Sequence, residues 1–454
     1  MANKNALTTQ AKTSLVEQVY YSPVAVVPPN SFNAQTIYTF LAKVEPWSDD
    51  NNIPTPTTDQ KYIKQTYKNM FAAKLVKSSD ISPIIPRFDW ISGTMYDYYR
   101  DDVDMSALDQ NGDLLYNFYV KNRFDQVFKC LWNNNGGNSI VEPYFEPGSY
   151  NTNNIFQGTD GYKWKYIYTV DLGLKVKFMD DNWLPVPVGA NTPNPLQTSA
   201  GYGNIDVINI TNQGSGYDSV NAVVTITITG DGVGASAIAN VSGGQIADII
   251  VTSPGTNYTY ANVSITSALG SNATAISPVS PIGGHGFDAI SELGCRHVMI
   301  TSEFNADENG VLPTDIDFHQ IGLLINPTTY DGFPIPANGE IYRTSTDIVC
   351  APGFGSYTED EYVYQGTSLE NSTFSARVLY FNTSTNVLYL INTTGIITTN
   401  APIFGTVSKT TRTVLTYSTP QFVPFSGYMM LIENRSAVQR SVDGIEQFRF
   451  VLGF

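Results

Sequence analysis

The stretch IEQFRFVLGF, residues 445–454, sets Phe448, Phe450, Leu452 and Phe454 at a strict period of two. That is the period of a strand, with four apolar side chains on one face. Chain ends fray unless something ties them down. Strand pattern kept to the last residue therefore predicts a buried face, packed in the chain's own core or against a partner. The same alternation runs through DIDFHQIGLLINP (Asp315–Pro327) and DGYKWKYIYTV (Asp160–Val170). The second opens on an Asp160-Gly161 turn signal and aligns Tyr162, Trp164, Tyr166 and Tyr168. DLLYNFYVKNRFDQVFKCLW (Asp113–Trp132) reads as two strands about a turn, and TIYTFLAKVEPW (Thr36–Trp47) as a strand ending in a proline turn. One clear helix is expected in IPTPTTDQKYIKQTYKNMFAAKL (Ile53–Leu75). There Thr57 and Gln60 have capping-box spacing, and Ile63, Tyr67, Met70 and Lys74 follow at helical intervals with Phe71 and Leu75 alongside. The expected fold class is mainly β (α+β): layered β-sandwich domains with a few helices.

From Asn191 the character changes, and charge nearly disappears until about Pro281. INITNQGSGYDSVNAVVTITITGDGVGASAIA (208–239) is answered by IIVTSPGTNYTYANVSITSALGSNATAI (249–276), with Tyr217 and Tyr258 in matching positions. Two copies of strand, glycine turn and strand predict a small inserted all-β repeat module. The expected organisation is thus 1–194 as the N-terminal part of the core, 195–281 as the insert, and 282–454 as the C-terminal β-rich part.

Composition narrows function. Only 15% of the 454 residues are charged and the formal net charge is −16, against roughly 25% charged in an average soluble domain. Nucleic acid and anionic membrane surfaces require clustered Lys and Arg, so neither is an expected partner. Cys130, Cys295 and Cys350 are odd in number and far apart, which predicts reduced thiols and a cytosolic origin. The first 29 residues hold no signal-peptide core, and no run approaches the length of a membrane span.

Candidate chemistry is sparse. Asp315, Asp317 and His319 alternate along one strand face as metal ligands can, but the same spacing describes the polar face of a half-buried strand, which is the reading adopted. ALDQNGDL (Ala107–Leu114) offers Asp109, Asn111 and Asp113, yet Leu114 and Val120 stand where a calcium loop needs Gly and Glu, so a turn is expected. His285 sits in GGHGF, with no nucleophile motif near it or near His297 and His319. Lys163 and Lys165 interleave with the aromatic strand, which is read as core or interface packing. No metal, cofactor, catalytic residue or small-molecule substrate is expected.

Several segments together, in order, resemble the baseplate wedge subunit (gene product 8) family of T-even-like contractile-tailed bacteriophages. They are TIYTFLAKVEPWSDD with Glu45, Pro46 and Trp47, and IIPRFDW with Pro86, Arg87, Asp89 and Trp90. VFKCLW, DGYKWKYIYTV with Asp160, Gly161, Tyr162, Trp164 and Tyr166, and FHQIGLLINP follow. The series closes with MMLIENRSAVQRSVDGIEQFRFVLGF, carrying Glu433, Asn434 and Arg435. The resemblance covers most of the chain outside 195–281, where this sequence departs from the family pattern. It implies a structural protein of the virion, assembled in the host cytoplasm and without enzyme activity. It further implies homodimers that bridge the wedge scaffold to inner-ring subunits and rearrange on tail contraction. The alternatives are a receptor-binding or fibre-type tail protein contacting host glycans, and a polysaccharide-degrading enzyme on a β scaffold.

Overall fold

The computed structural model describes residues 9–21, 35–148, 154–188, 201–218, 220–328 and 340–454. Strand makes up 45% and helix 9%, so the chain is a mainly antiparallel, layered β protein. It forms two compact units, Met1–Gln18 with Ser82–Met299 and Val451–Phe454, and Val19–Ile81 with Ile300–Phe450. Helix α1 (Thr9–Tyr21) comes first among the described residues.

In the second unit β1 (Ile37–Ala42) is buried at all six positions, because it lies mid-sheet with both faces covered. The order is β17 (Ile341–Arg343), β2 (Met70–Leu75), β1, β16 (Asp317–Ile325) and β24 (Tyr428–Gln439), all antiparallel. Ile37 stands opposite Ile325, and Tyr38 opposite both Leu324 and Leu75. Gly322 is required here: a Cβ would lie 2.0 Å from the Leu431 carbonyl and 2.6 Å from the Phe40 ring. Six further strands of this unit close a barrel: β18 (Thr346–Cys350), β21 (Val387–Gly395), β20 (Ser372–Asn382), β19 (Tyr362–Gly366), β22 (Pro402–Gly405) and β23 (Thr411–Ser418). Its interior is filled by Ile348, Val363, Phe374, Val378, Leu388, Leu390, Ile403 and Val414. Closure removes the free edges that a six-stranded sheet would otherwise expose.

The expected helix is shorter than its apolar spacing suggested. α2 spans Gln60–Asn69, and its cap is Asp59, whose carboxylate accepts the Tyr62 N–H at 2.9 Å. Thr57 bonds that carboxylate instead of capping the helix itself. Met70, Phe71, Lys74 and Leu75 belong to β2, where pairing with β1 outweighs continuation of the helical period. The two strands read in 113–132 are β4 (Tyr119–Lys121) and β5 (Gln126–Trp132), with Asp125 at φ 59° in the turn.

In the first unit β4 and β5 join β7 (Lys163–Thr169) and β6 (Ile155–Gln157) in a four-stranded sheet ordered β4-β5-β7-β6. Tyr162, Trp164 and Tyr166 pack with Tyr96, Val120 and Phe128 in one cluster. The opposite face of β7 is covered too, so Lys163 and Lys165 are buried; Lys163 reaches Asp248 at 3.0 Å. Nearby, β3 (Ile81–Pro86) pairs with β8 (Trp183–Pro185), and α3 (Leu172–Phe178) supplies Phe178 to the cluster beneath them.

Residues 209–276 form six strands: β9 (Asn209–Ser215), β10 (Val224–Gly230), β11 (Val233–Ser242), β12 (Gln245–Thr256), β13 (Ala261–Ser267) and β14 (Ser271–Ile276). They pair as three antiparallel ribbons, β9 with β14, β10 with β13 and β11 with β12. If β9 to β11 are one copy and β12 to β14 the other, each ribbon takes one strand from each copy. The pairing is unchanged when the copies exchange, which is an internal pseudo-two-fold. Ile205, Ile208, Ile246, Ile249, Tyr217 and Tyr258 lie at its core.

The last two long strands are β15 (His297–Asn305) and β25 (Ile445–Gly453). Along β25 burial alternates as the sequence predicts: Phe448 and Phe450 are buried, while Leu452 and Phe454 are half-buried. The Phe448 ring meets Phe304 and Phe318 at about 6 Å. The Phe454 N–H donates to the Arg296 carbonyl at 3.0 Å, so the last residue is held by backbone pairing.

Candidate functional site

Segments far apart in sequence meet in the second unit around a groove of about 680 Å³. After β1, Val44 leads into Glu45 and Trp47, α2 forms one bank, and Gln320 rises from β16. The Trp47 indole Nε1 donates to the Arg435 carbonyl at 2.7 Å, which fixes the turn after β1 against β24. The Gln320 amide donates to the Tyr62 hydroxyl at 2.8 Å and to Asn434 Oδ1 at 2.7 Å. Tyr62 in turn donates to Asn434, and Asn434 donates to the Pro54 carbonyl. These bonds order the groove floor. The amide oxygens of Gln320 and Asn69, 1% and 7% exposed, are left without a hydrogen-bond partner. Tyr362 and Asn392 line the barrel side, and the exposed Lys61, Lys64 and Lys68 of α2 line the other.

Beside the groove lies a cluster of charge. Lys43, fully buried, forms ion pairs with Asp317 and Glu359 and approaches Asp360 at 3.4 Å. Burial opposes its charge, but the bonds to Asp317 and Glu359 outweigh it, and the Lys43 pKa is raised. Arg377, also fully buried, donates to Asp360 at 2.6 Å and to the Lys43 carbonyl at 3.1 Å. The carboxylates of Asp317, Glu359 and Asp360 lie within 4.8 Å of one another, as cation ligands would. The Lys43 ammonium already serves that role. His319 lies 3.8 Å from Asp317, while Asp315 is at φ 60° ahead of the strand and off its face. The three residues considered as metal ligands therefore do not converge.

The first unit contains a second buried constellation. Lys129 on β5 bonds Glu292 at 3.0 Å, His285 Nδ1 meets the same carboxylate oxygen at 2.8 Å, and the Tyr99 ring lies 3.9 Å from the ammonium. Glu292 ends α4 (Ala289–Glu292). Its pKa falls to about 2: burial alone would raise it, and Lys129 and His285 reverse that. Burial lowers the His285 pKa. His285 is thus an internal ligand of a carboxylate, held by a tight glycine turn, and is 4% exposed.

The other sequence motifs are framework. Arg87 forks onto both Asp89 oxygens at 3.1 and 2.8 Å and reaches the Asp180 carbonyl, while the Pro86 carbonyl accepts from Tyr119. Trp90 donates to Ser139 at 3.0 Å. Asp160 accepts the N–H groups of Ile140, Val141 and Tyr162, and Gly161 at φ 84° leaves no room for a Cβ against Asn134. Tyr162 stacks on Trp164 with centroids 5.5 Å apart. Pro46 is exposed, and Glu45 approaches Arg377 at 3.6 Å while Glu433 pairs with Arg435 at 2.9 Å. Asp109 accepts from the backbone of Asn111 and Asp113, the geometry of a turn. All three cysteines are buried and unpaired. Sequence reasoning missed Lys43 and Lys129. Their signal was a single lysine inside an apolar strand, in TFLAKV and VFKCLW, where only a buried counter-charge makes the position tolerable.

No known protein-family model matches the chain, and no curated protein matches it.

Proposed function

We propose that this chain is a structural subunit of a contractile-tail baseplate wedge, acting through contacts with other wedge proteins and with a second copy of itself. What supports the reading is the work done by the residues that carry the resemblance. Trp47 and Arg435, Asn434 and Tyr62, Arg87 and Asp180, and Asp160 with the N–H groups of Ile140 and Val141 all hold segments in register. Motifs spent on register suit a protein whose product is a rigid shape. The twelve-residue strand β24 is an outer strand of its sheet among the described residues. Such an edge can be extended by another chain.

The test is assembly. The purified chain, mixed or co-expressed with candidate wedge scaffold and inner-ring proteins, is expected to sediment as a dimer alone and to enter a stoichiometric complex with them. A chain that stays monomeric and joins none of these proteins overturns the reading.

A further inference from the structure

The proposed function makes no use of Lys129, Glu292 and His285, whose side chains are 1%, 2% and 3% exposed. Taking both charges of an ion pair out of water often costs more than their attraction returns. An ordinary ion pair needs only contact, whereas these atoms stand in a more particular order. Lys129 Nζ lies 3.0 Å from Glu292 Oε1. His285 Nδ1 reaches both, at 2.8 Å from that oxygen and 3.4 Å from Nζ. The Gly286 N–H donates to the other oxygen, Oε2, at 2.6 Å. An amine, a proton carrier that touches both the amine and one oxygen, and a backbone donor on the other oxygen are the parts of an acyl transfer.

We propose that Lys129 and Glu292 condense to an isopeptide bond, which ties β5 covalently to α4. One proton first passes from Nζ to Oε1 within the ion pair, giving an amine and a carboxylic acid. Burial lowers the Lys129 pKa and favours that amine. The low pKa of Glu292 opposes the step, so the neutral pair is a minor state and the reaction is slow. The Nζ lone pair then attacks Cδ, and negative charge gathers on Oε2 under the Gly286 N–H. His285 Nδ1 gives its proton to Oε1, which leaves as water, and takes one back from the new amide nitrogen. The ammonium loses two protons and the carboxylate one oxygen, so no further reactant is needed. Contact distance makes the reaction unimolecular, and a site this dry offers little water for the reverse.

Lys43 is the contrast. Its partners Asp317 and Glu359 are 25% and 39% exposed, so water eases their charge and no bond is expected there. Lys129 precedes the 195–281 insert and Glu292 follows it. The bond therefore closes a covalent loop containing the insert, and tension on the insert cannot peel β5 from α4. A chain in which the bond has not formed keeps the ion pair and its titration.

The test is the intact mass of the purified full chain, denatured and reduced. It is expected to be lighter than the sequence by one water. Digestion should yield a branched peptide joining Lys129 to Glu292, with no tryptic cut after Lys129. Lys129→Met should show its full sequence mass. His285→Gln keeps the pair but loses the carrier, and should condense at least about tenfold more slowly in a time course after synthesis. Four results each overturn the proposal: a native chain at full mass, a branched peptide joining other residues, a water loss that survives Lys129→Met, or His285→Gln condensing at the native rate. The branched peptide is read on the native chain, so it decides the matter even if Lys129→Met fails to fold.

Discussion

Tyr217 and Tyr258, 41 residues apart, are the same residue in two settings. The Tyr258 hydroxyl accepts the Ala235 N–H at 3.4 Å, and the Tyr217 hydroxyl accepts the Ala273 N–H at 3.3 Å. Each ring lies on glycine. A Cβ on Gly270 would come within 2.5 Å of Tyr217, and one on Gly232 within 2.4 Å of Tyr258. Both tyrosines are nearly fully buried, at 4% and 5% exposure. Gly232 and Gly270 are there to admit the two rings.

Equivalent locks should cost alike when removed. Tyr217→Ala and Tyr258→Ala are each expected to destabilise by about 3–5 kcal/mol, and the Phe variants by about 1 kcal/mol. Hydrogen exchange checks this, with protection expected to fall together across β9 to β14. If one Ala variant is silent and the other severe, the two copies are not energetically equivalent.

Lys43 offers a test of charge compensation. Lys43→Met strands the Asp317 and Glu359 carboxylates, whose side chains are 25% and 39% exposed, while Asp360 keeps Arg377. Solvent screening keeps the expected loss near 2–3 kcal/mol, below the 3–5 of a fully buried pair. Adding Glu359→Gln should restore part of it, since one source of repulsion goes. Denaturant midpoints of the two single variants and the double variant measure the coupling. Strictly additive losses would show that the ammonium and the carboxylate act independently.

The histidines set the acid limb of stability. Burial lowers the pKa of His285, His297 and His319 from the ordinary 6.5. The folded state favours neutral imidazole, so the unfolded chain takes up protons first as pH falls. Their contribution is complete above about pH 6.5 and is lost below it, by at most about 1.4 kcal/mol per pH unit per histidine. Glu292, held near 2 against an ordinary 4.5, extends the loss below pH 4.5 with the same sign. Unfolding free energies measured from about pH 7.5 to 5 should decline, and the His285→Gln variant should decline less steeply. A flat profile would mean that the imidazoles titrate alike in the folded and unfolded chain, so that burial does not depress them.

Local pattern carried the strands well. Phe448 and Phe450, the aromatic run from Tyr162 to Tyr166, and Tyr217 with Tyr258 each lie in the core that period or repeat indicated. It failed where tertiary pairing overrode local preference. Met70 to Leu75 continue a helical spacing but form β2, because β1 and β17 offer ladders on both sides. The barrel was equally illegible, since closure depends on which strand meets which. The groove was half visible: Glu45, Trp47, Asn434 and Arg435 were singled out, but nothing local shows that Gln320 and Tyr62 join them.

The terminal strand gives a graded test. Phe450 is 2% and Phe448 6% exposed, whereas Leu452 and Phe454 are half-buried. Truncation cost follows burial and the cavity left behind, so Phe450→Ala and Phe448→Ala should each cost about 3–5 kcal/mol. Leu452→Ala and Phe454→Ala, which leave partly solvated space, should cost about 1 kcal/mol. Phe448 carries an added term, since its ring meets Phe304 and Phe318 edge-on. Such pairs contribute about 0.5–1.5 kcal/mol beyond area. Phe454 is also tied by its N–H to Arg296, a bond the Ala variant keeps. Removing residues 448–454 loses both the apolar face and that pairing, and is expected to leave an insoluble chain. Melting temperatures of the four variants, with the solubility of the truncation, decide it. A soluble truncated chain that still associates normally would show that β25 is not needed for the core it completes.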